Sequence, residues 1–205
     1  MSRFDVLKSL VRSAARAGGD RLAKVGRVED FRKVLSELRG RRIAISEAML
    51  TRAINHGVRG VEAATVSLRD ERARFHLDYG DGEPLGFALV PDEARFAPRG
   101  AKEVIFAVEP PELVSDARVR EVVGAVAAGI ARALWGPMMG PPVDGEEAFV
   151  EREGARLRAD LRSVPAVRAL LEGSPLAMAL EVLAIEGFVI EDRALRIVIA
   201  LPMPG

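Results

Sequence analysis

Several residue types that build catalytic and metal sites are scarce in this chain. It has no cysteine and only two histidines among 205 residues. The lack of cysteine excludes disulfides and thiolate metal ligands. His56 precedes Gly57 at the end of a predicted helix, where a cation suits the helix dipole, and His76 alternates outward between Phe75 and Leu77. Both histidines are therefore predicted to be structural.

The motifs of common enzyme active sites are also missing. There is no Gly-x-Ser-x-Gly elbow, no glycine-rich phosphate loop ending in lysine and no His-Glu-x-x-His. Asp78, Asp81 and Glu83 lie close together, but their spacing lacks the alternation and closing glutamate of a calcium loop. The adjacent Glu146 and Glu147 are predicted to be solvated. We predict a non-enzymatic protein with no catalytic residue, metal or cofactor.

Long apolar runs are absent too. The longest, from Val122 to Ala131, is about half of the ~20 residues needed to cross a bilayer. The chain begins Met-Ser-Arg-Phe-Asp and reaches no uninterrupted apolar stretch followed by a small-residue cleavage site, which predicts that it has no secretory signal. The prediction is a cytoplasmic protein, with a peripheral position at the inner membrane surface as an alternative.

The charges that are present divide along the chain. Residues 1–42, here called the basic arm, hold 12 Lys+Arg against 5 Asp+Glu, a net charge of +7. Residues 43–205, the acidic body, hold 18 against 25, a net charge of −7. This pattern predicts two regions and a contact with an anionic partner, either a membrane surface or the acidic face of another copy. A biased genome is the alternative, since 26 of the 30 basic residues are arginine.

Two amphipathic helices are predicted in the basic arm. The first carries the apolar stripe Phe4, Leu7, Leu10, Val11 and Ala14, and the second carries Val28, Phe31, Val34, Leu35 and Leu38 before Gly40. Such stripes either enter a headgroup boundary or pack on the protein's own domain. Nucleic acid is not favoured, because no recognition-helix or stacking pattern is present. The residues predicted to contact an anionic surface are Lys8, Arg12, Arg16, Arg21, Lys24 and Arg27.

The acidic body begins with a strand, a helix and then alternating strands. Ile43 and Ile45 predict a short strand, and Ser46 can cap a helix that ends at Gly57. From Val61 the apolar period changes from about 3.6 to 2 residues. Strands are predicted over residues 64–68, 73–79, 85–89 and 104–108. Turn residues between them indicate an antiparallel meander with one apolar face that needs a cover.

A long helix is predicted to supply that cover. Ser115 can cap it, and its apolar face continues to Leu134. Strands at 148–150 and 155–161, a short helix after Ser163 and a hairpin over 177–201 follow. The predicted fold is α+β, with a curved antiparallel sheet of about eight strands wrapped around this long helix and the N-terminal helices packed outside or at one end.

Three stretches of the acidic body repeat a pattern. Residues 70–75, 151–157 and 191–197 each place an acidic turn before a small residue and an alternating strand. Recurring hairpin chemistry explains this pattern, and a repeated structural unit is the alternative.

The acidic body opens with Ile45-Ser46-Glu47-Ala48-Met49-Leu50, followed by Ala53-Ile54, alternating strands, a long small-residue helix and a final hairpin. This opening and this order of elements resemble the single-domain bacterial members of the tubular lipid-binding (TULIP) superfamily. The resemblance covers roughly residues 43–201. It implies a strongly curved antiparallel sheet around a long helix, with an acyl chain between them. It supplies no catalytic motif.

The leading functional hypothesis is non-enzymatic binding of an apolar ligand, a lipid acyl chain, between sheet and helix. The alternative is a scaffold with a filled core, which self-associates as a homo-oligomer or docks a partner through its basic arm and acidic body. The predicted lining residues are Phe75, Leu77, Phe87, Leu89, Phe106, Val122, Val126, Ile130, Leu180, Val182, Ile197 and Ile199, with Trp135, Met138 and Met139 at the mouth.

Overall fold

Nine strands and three α-helices lie in the part of the chain that the computed structural model describes, which is residues 42–80, 82–96, 100–136, 139, 144–173 and 184–200. In chain order the elements are β1 (Arg42–Ser46), α1 (Glu47–Gly57), β2 (Ala63–Arg69), β3 (Arg72–Asp78), β4 (Leu85–Phe96), β5 (Lys102–Glu109), α2 (Ala117–Trp135), β6 (Phe149–Glu153), β7 (Arg156–Asp160), α3 (Pro165–Gly173), β8 (Ala184–Glu191) and β9 (Ala194–Ala200). The α+β class with antiparallel sheets is confirmed.

The strands form two antiparallel sheets, whereas a single sheet of about eight strands was predicted. One sheet has six strands in the order β2-β3-β4-β5-β7-β6, and the other has three in the order β1-β9-β8. The C-terminal hairpin pairs with β1, from Arg42 opposite Val198 to Ser46 opposite Ala194, instead of with the meander. The two sheets meet through their side chains, as where the rings of Phe106 and Phe188 make an edge-to-face contact at 5.2 Å.

The helix α1 forms where its capping residue predicts. The Ser46 hydroxyl accepts a hydrogen bond from the Met49 N–H, and Glu47 occupies the first turn, where its charge suits the helix dipole. Ile45 and Leu50, the predicted apolar pair across this cap, are both buried.

The long helix α2 begins one residue later than its prediction. Ser115 is not its cap, because Ser115 ends a 3₁₀ turn that starts at Pro111. The cap is Asp116, whose carboxylate accepts a hydrogen bond from the Arg118 N–H at 2.7 Å. The helix lies against α1, β1, β6 and β7.

Small residues of α2 allow close approach on two sides. A Cβ at Gly124 would lie 2.9 Å from the Ala148 carbonyl oxygen, and a Cβ at Gly57 of α1 would lie 2.6 Å from the Ala125 Cβ. The small residues therefore admit α1 and the segment that leads into β6.

The three repeating stretches are hairpins with two-residue loops. Residues 70–71, 154–155 and 192–193 connect β2 to β3, β6 to β7 and β8 to β9. Both loop residues of the first and third hairpins have positive φ angles, as a type I′ turn requires. Hairpin geometry thus accounts for the repeated pattern.

Several predictions fall on residues outside the described ranges. They include both helices and all six predicted contact residues of the basic arm, the start of the C-terminal hairpin, and the sites at Met138, Leu180 and Val182. Within the described ranges, no helix is both long and apolar enough to cross a membrane.

Candidate interaction surfaces and core

The predicted ligand-lining residues that the structure describes belong to the hydrophobic core. Each is at most 7% exposed. The rings of Phe75 and Phe87, from neighbouring strands, stack with centroids 5.1 Å apart. The described members of the set are Phe75, Leu77, Phe87, Leu89, Phe106, Val122, Val126, Ile130, Trp135, Met139, Ile197 and Ile199.

This burial bears directly on the two functional hypotheses. A side chain that borders a space large enough for water keeps accessible surface towards that space. These side chains keep almost none, including Trp135 and Met139 at the predicted mouth. At the described positions the core is therefore filled.

Two polar groups lie at the end of this core, close to where α2 ends. The Trp135 indole N–H is buried, and no group in the described ranges accepts a hydrogen bond from it. Its ring faces that of Phe96 at 6.5 Å, and the Lys102 Nζ lies 5.8 Å from the Phe96 ring centroid. Lys102 is itself buried, which was not predicted. The alternation along β5 does indicate this burial, because Lys102 is two residues from Val104 and lies on the same inward side of the strand.

The outer side of the six-stranded sheet carries a network of ion pairs, here called the charged face. Arg95 donates two hydrogen bonds to the Glu153 carboxylate, at 3.1 and 3.0 Å, and a third to Glu93. These bonds lower the pKa of Glu153 and raise that of Arg95. The residues of this face are Asp92, Glu93, Arg95, Glu103, Glu151, Glu153, Arg156 and Arg158.

Each arginine of the charged face has a carboxylate partner. Arg156 pairs with Asp92 at 2.7 Å, and Arg158 pairs with Glu103 and Glu151. A phosphate or carboxylate from outside would have to displace these partners. The charged face is therefore poorly suited to bind an anion.

A buried ion pair anchors the segment between α2 and β6. Arg132 donates to the Glu146 carboxylate at 2.5 Å, and Glu146 is only 7% exposed. The prediction that Glu146 is solvated was wrong, because α2 brings Arg132 over it. Glu147 beside it is exposed, yet partial desolvation and the neighbouring Glu121 raise its pKa.

The outer side of the three-stranded sheet differs from the charged face. Here Ala44 and Val189 are exposed, the latter at 42%. Arg196 lies between them and pairs with Asp192 at 2.7 Å. This surface, here called the apolar outer face, comprises Ala44, Ala184, Gly187, Val189 and Val198, with Arg196 at its centre and Ser46 and Glu191 towards one end of the same side.

The two histidines are both on the surface. The His56 Nδ1 lies 3.3 Å from an Asp144 carboxylate oxygen, and His76 points outward from β3. Across the described ranges no three His, Asp or Glu side chains form a group that could hold a metal ion. Comparisons with protein-family models, curated proteins and solved structures found no match.

Proposed function

We propose that this protein is a non-enzymatic interaction protein, in which a packed body presents the basic arm to an anionic membrane surface. The observation that carries the proposal is the filled core at the positions predicted to line a cavity. It favours a docking role over ligand carriage, because a carrier needs space for its ligand.

The charges of the body favour the arm as the point of contact. Several arginines of the six-stranded sheet already have carboxylate partners, as at Arg72 with Glu109 and Arg95 with Glu153. The body is also acidic overall, so an anionic membrane repels it. The six predicted contact residues of the arm would each contribute about 1 kcal/mol near such a surface.

Flotation with liposomes tests this proposal. The full chain is expected to float with vesicles of phosphatidylcholine and phosphatidylserine, and not with phosphatidylcholine alone. Deletion of residues 1–27 should abolish flotation while the far-UV circular dichroism of the body persists. High salt should weaken flotation of the full chain, because the attraction acts within about a Debye length, ~10 Å at 0.1 M.

Two outcomes would refute membrane docking. In one, the truncated chain floats as well as the full chain. In the other, the truncation converts an oligomer into a monomer without changing flotation, which would assign the arm to self-association with another copy's acidic body.

A second candidate function is binding of an apolar ligand, as in the TULIP superfamily. The buried Trp135 N–H favours it, because a ligand oxygen could accept the hydrogen bond that no described group accepts. In this proposal the two sheets curve around α2, and the acyl chain lies beside them. Binding would require the core to open, since Trp135 is 1% exposed.

Native mass spectrometry of the purified protein separates the two candidates. A carrier would retain a stoichiometric ligand that solvent extraction releases and identifies as lipid. The interaction protein should give the mass of the chain alone. Trp135→Phe removes the N–H and keeps a large ring, and this variant should also give the mass of its chain alone and float as the parent does.

A further inference from the structure

The apolar outer face is the one side of the three-stranded sheet that the described residues leave uncovered. Its inner side carries Ile45, Leu195 and Ile197, which are buried in the core. On the outer side Val189 is 42% exposed and Ala44 is exposed. A strand with apolar residues on both sides is typical of a sheet covered on both sides.

The character of this face fits an apolar partner. Its central charge, Arg196, is balanced by Glu191 at 3.8 Å and Asp192 at 2.7 Å. Beside Arg196 the surface is flat, because Gly187 has no side chain and a Val198 methyl lies over it, 3.1 Å from where a Cβ at Gly187 would be. The alanine, glycine and valine residues around Arg196 leave room for the larger side chains of an amphipathic helix.

We propose that the second predicted helix of the basic arm, residues 28–38, docks on the apolar outer face. Its stripe contains Val28, Phe31, Val34, Leu35 and Leu38, large side chains that complement the small ones of the sheet. At about 1.5 Å per residue these 11 residues span roughly 16 Å, which is shorter than the seven residues of β9 at about 3.3 Å each.

The connection to the sheet also fits. The helix is predicted to end before Gly40, and β1, an edge strand of this sheet, begins at Arg42. Residues 39–41 can reach about 10 Å, comparable with the ~10 Å spacing between packed layers. A chain that enters β1 can thus fold back over the outer side, whereas the core already fills the inner side.

This docking goes beyond the membrane proposal and does not depend on it. It fixes residues 28–38 to the body and leaves residues 1–27, which carry all six predicted contact residues, to extend beyond the sheet. The basic arm would then consist of an anchoring helix and a surface-binding helix.

Cysteine pairs in the full chain test the docking, since the chain has no cysteine of its own. Leu35→Cys with Val189→Cys places one thiol on the stripe and one on the face. Lys33→Cys with Val189→Cys is the matched control, because residue 33 lies on the opposite side of the helix from the stripe. A disulfide needs Cα atoms within about 7 Å.

Under mild oxidation without vesicles, the Leu35 and Val189 pair should close intramolecularly about tenfold faster than the control pair, because docking raises the effective thiol concentration. Intact mass and non-reducing electrophoresis measure closure. Equal rates, no closure, or disulfide-linked dimers as the main product would overturn the proposal, and dimers would assign the face to a second copy.

A second set of variants repeats the comparison if Val189→Cys disturbs folding. It compares Ala44→Cys with Leu38→Cys, on the stripe, against Ala44→Cys with Ser36→Cys, off the stripe. Membrane flotation is measured separately on the reduced proteins, so failure of docking and failure of membrane binding are distinguishable.

Discussion

Glu71 adopts a conformation that its side chain disfavours. It follows Asp70 in the loop between β2 and β3, and its φ angle is 60°. A left-handed conformation costs a residue with a Cβ about 1–2 kcal/mol, and Asp-Gly is a preferred pair for this loop. A glycine at this position would avoid that cost, but it would lose more chain entropy on folding, so only part of the ~1–2 kcal/mol would be recovered.

Glu71→Gly should therefore stabilise the protein by about 0.5–1 kcal/mol in urea unfolding. Gly154→Ala is the reverse test, because Gly154 has a φ angle of 66° and open space around its Cβ position. It should cost about 1 kcal/mol. Destabilisation by Glu71→Gly would show that the loop is not strained.

Two glutamates should respond to pH in opposite directions. The hydrogen bond from Arg95 holds the pKa of Glu153 below 4.5, so its contribution to stability is present above pH 4.5 and is lost as the pH falls through the folded-state pKa. Desolvation raises the pKa of Glu147 above 4.5, so its charge destabilises the fold at neutral pH, and this cost disappears as the pH falls below 4.5.

At pH 7, Glu153→Gln should destabilise the protein and Glu147→Gln should stabilise it. Both differences from the parent should shrink as urea unfolding is repeated towards pH 4. A Glu147→Gln variant that is less stable at pH 7 would contradict the assigned desolvation.

The helices α1 and α2 are joined through the segment before β6. The Gly145 N–H donates to the His56 carbonyl of α1 at 2.7 Å, and the Ala148 N–H donates to the Gly124 carbonyl of α2 at 3.0 Å. Glu146 lies between these two bonds and is held by Arg132. The position of the segment thus depends on a buried charge pair.

Arg132→Met should cost roughly 3–5 kcal/mol in urea unfolding, because it leaves the Glu146 carboxylate buried without its counter-ion. Adding Glu146→Leu should recover most of that loss. Arg74→Met, which removes a pair with Asp70 on an exposed loop, is the control and should cost no more than about 1 kcal/mol. Equal losses for both single variants would contradict the burial of the Arg132 pair.

Across the whole molecule, local chemistry was predictable and long-range pairing was not. Ser46 marks the start of α1 through a contact three residues away, and the loop at Asp70 follows from its immediate neighbours. The pairing of β1 with β9 joins residues about 150 positions apart, and an alternating pattern does not specify which strands pair. The sequence therefore indicated antiparallel strands and missed the division into two sheets.

The candidate site divides in the same way. Apolar periodicity placed Phe75, Val122 and Ile197 correctly on inward sides. It did not reveal whether those sides meet or leave a space between them, because that depends on the packing of distant elements. Burial of Glu146 was missed for the same reason, since only the fold brings Arg132 to it.

Membrane docking through the arm is tested most directly by the partitioning onto vesicles of an arm whose net charge is lowered from +7 to +1. The full chain and a variant with Gln at all six predicted contact positions, Lys8, Arg12, Arg16, Arg21, Lys24 and Arg27, are titrated with phosphatidylcholine vesicles that contain increasing phosphatidylserine. This variant keeps both apolar stripes and the described body. Each lost charge should lower the partition coefficient about fivefold. The full chain is expected to bind more tightly as phosphatidylserine increases, while the variant stays unbound. Equal binding of the two chains would contradict membrane docking through the basic arm.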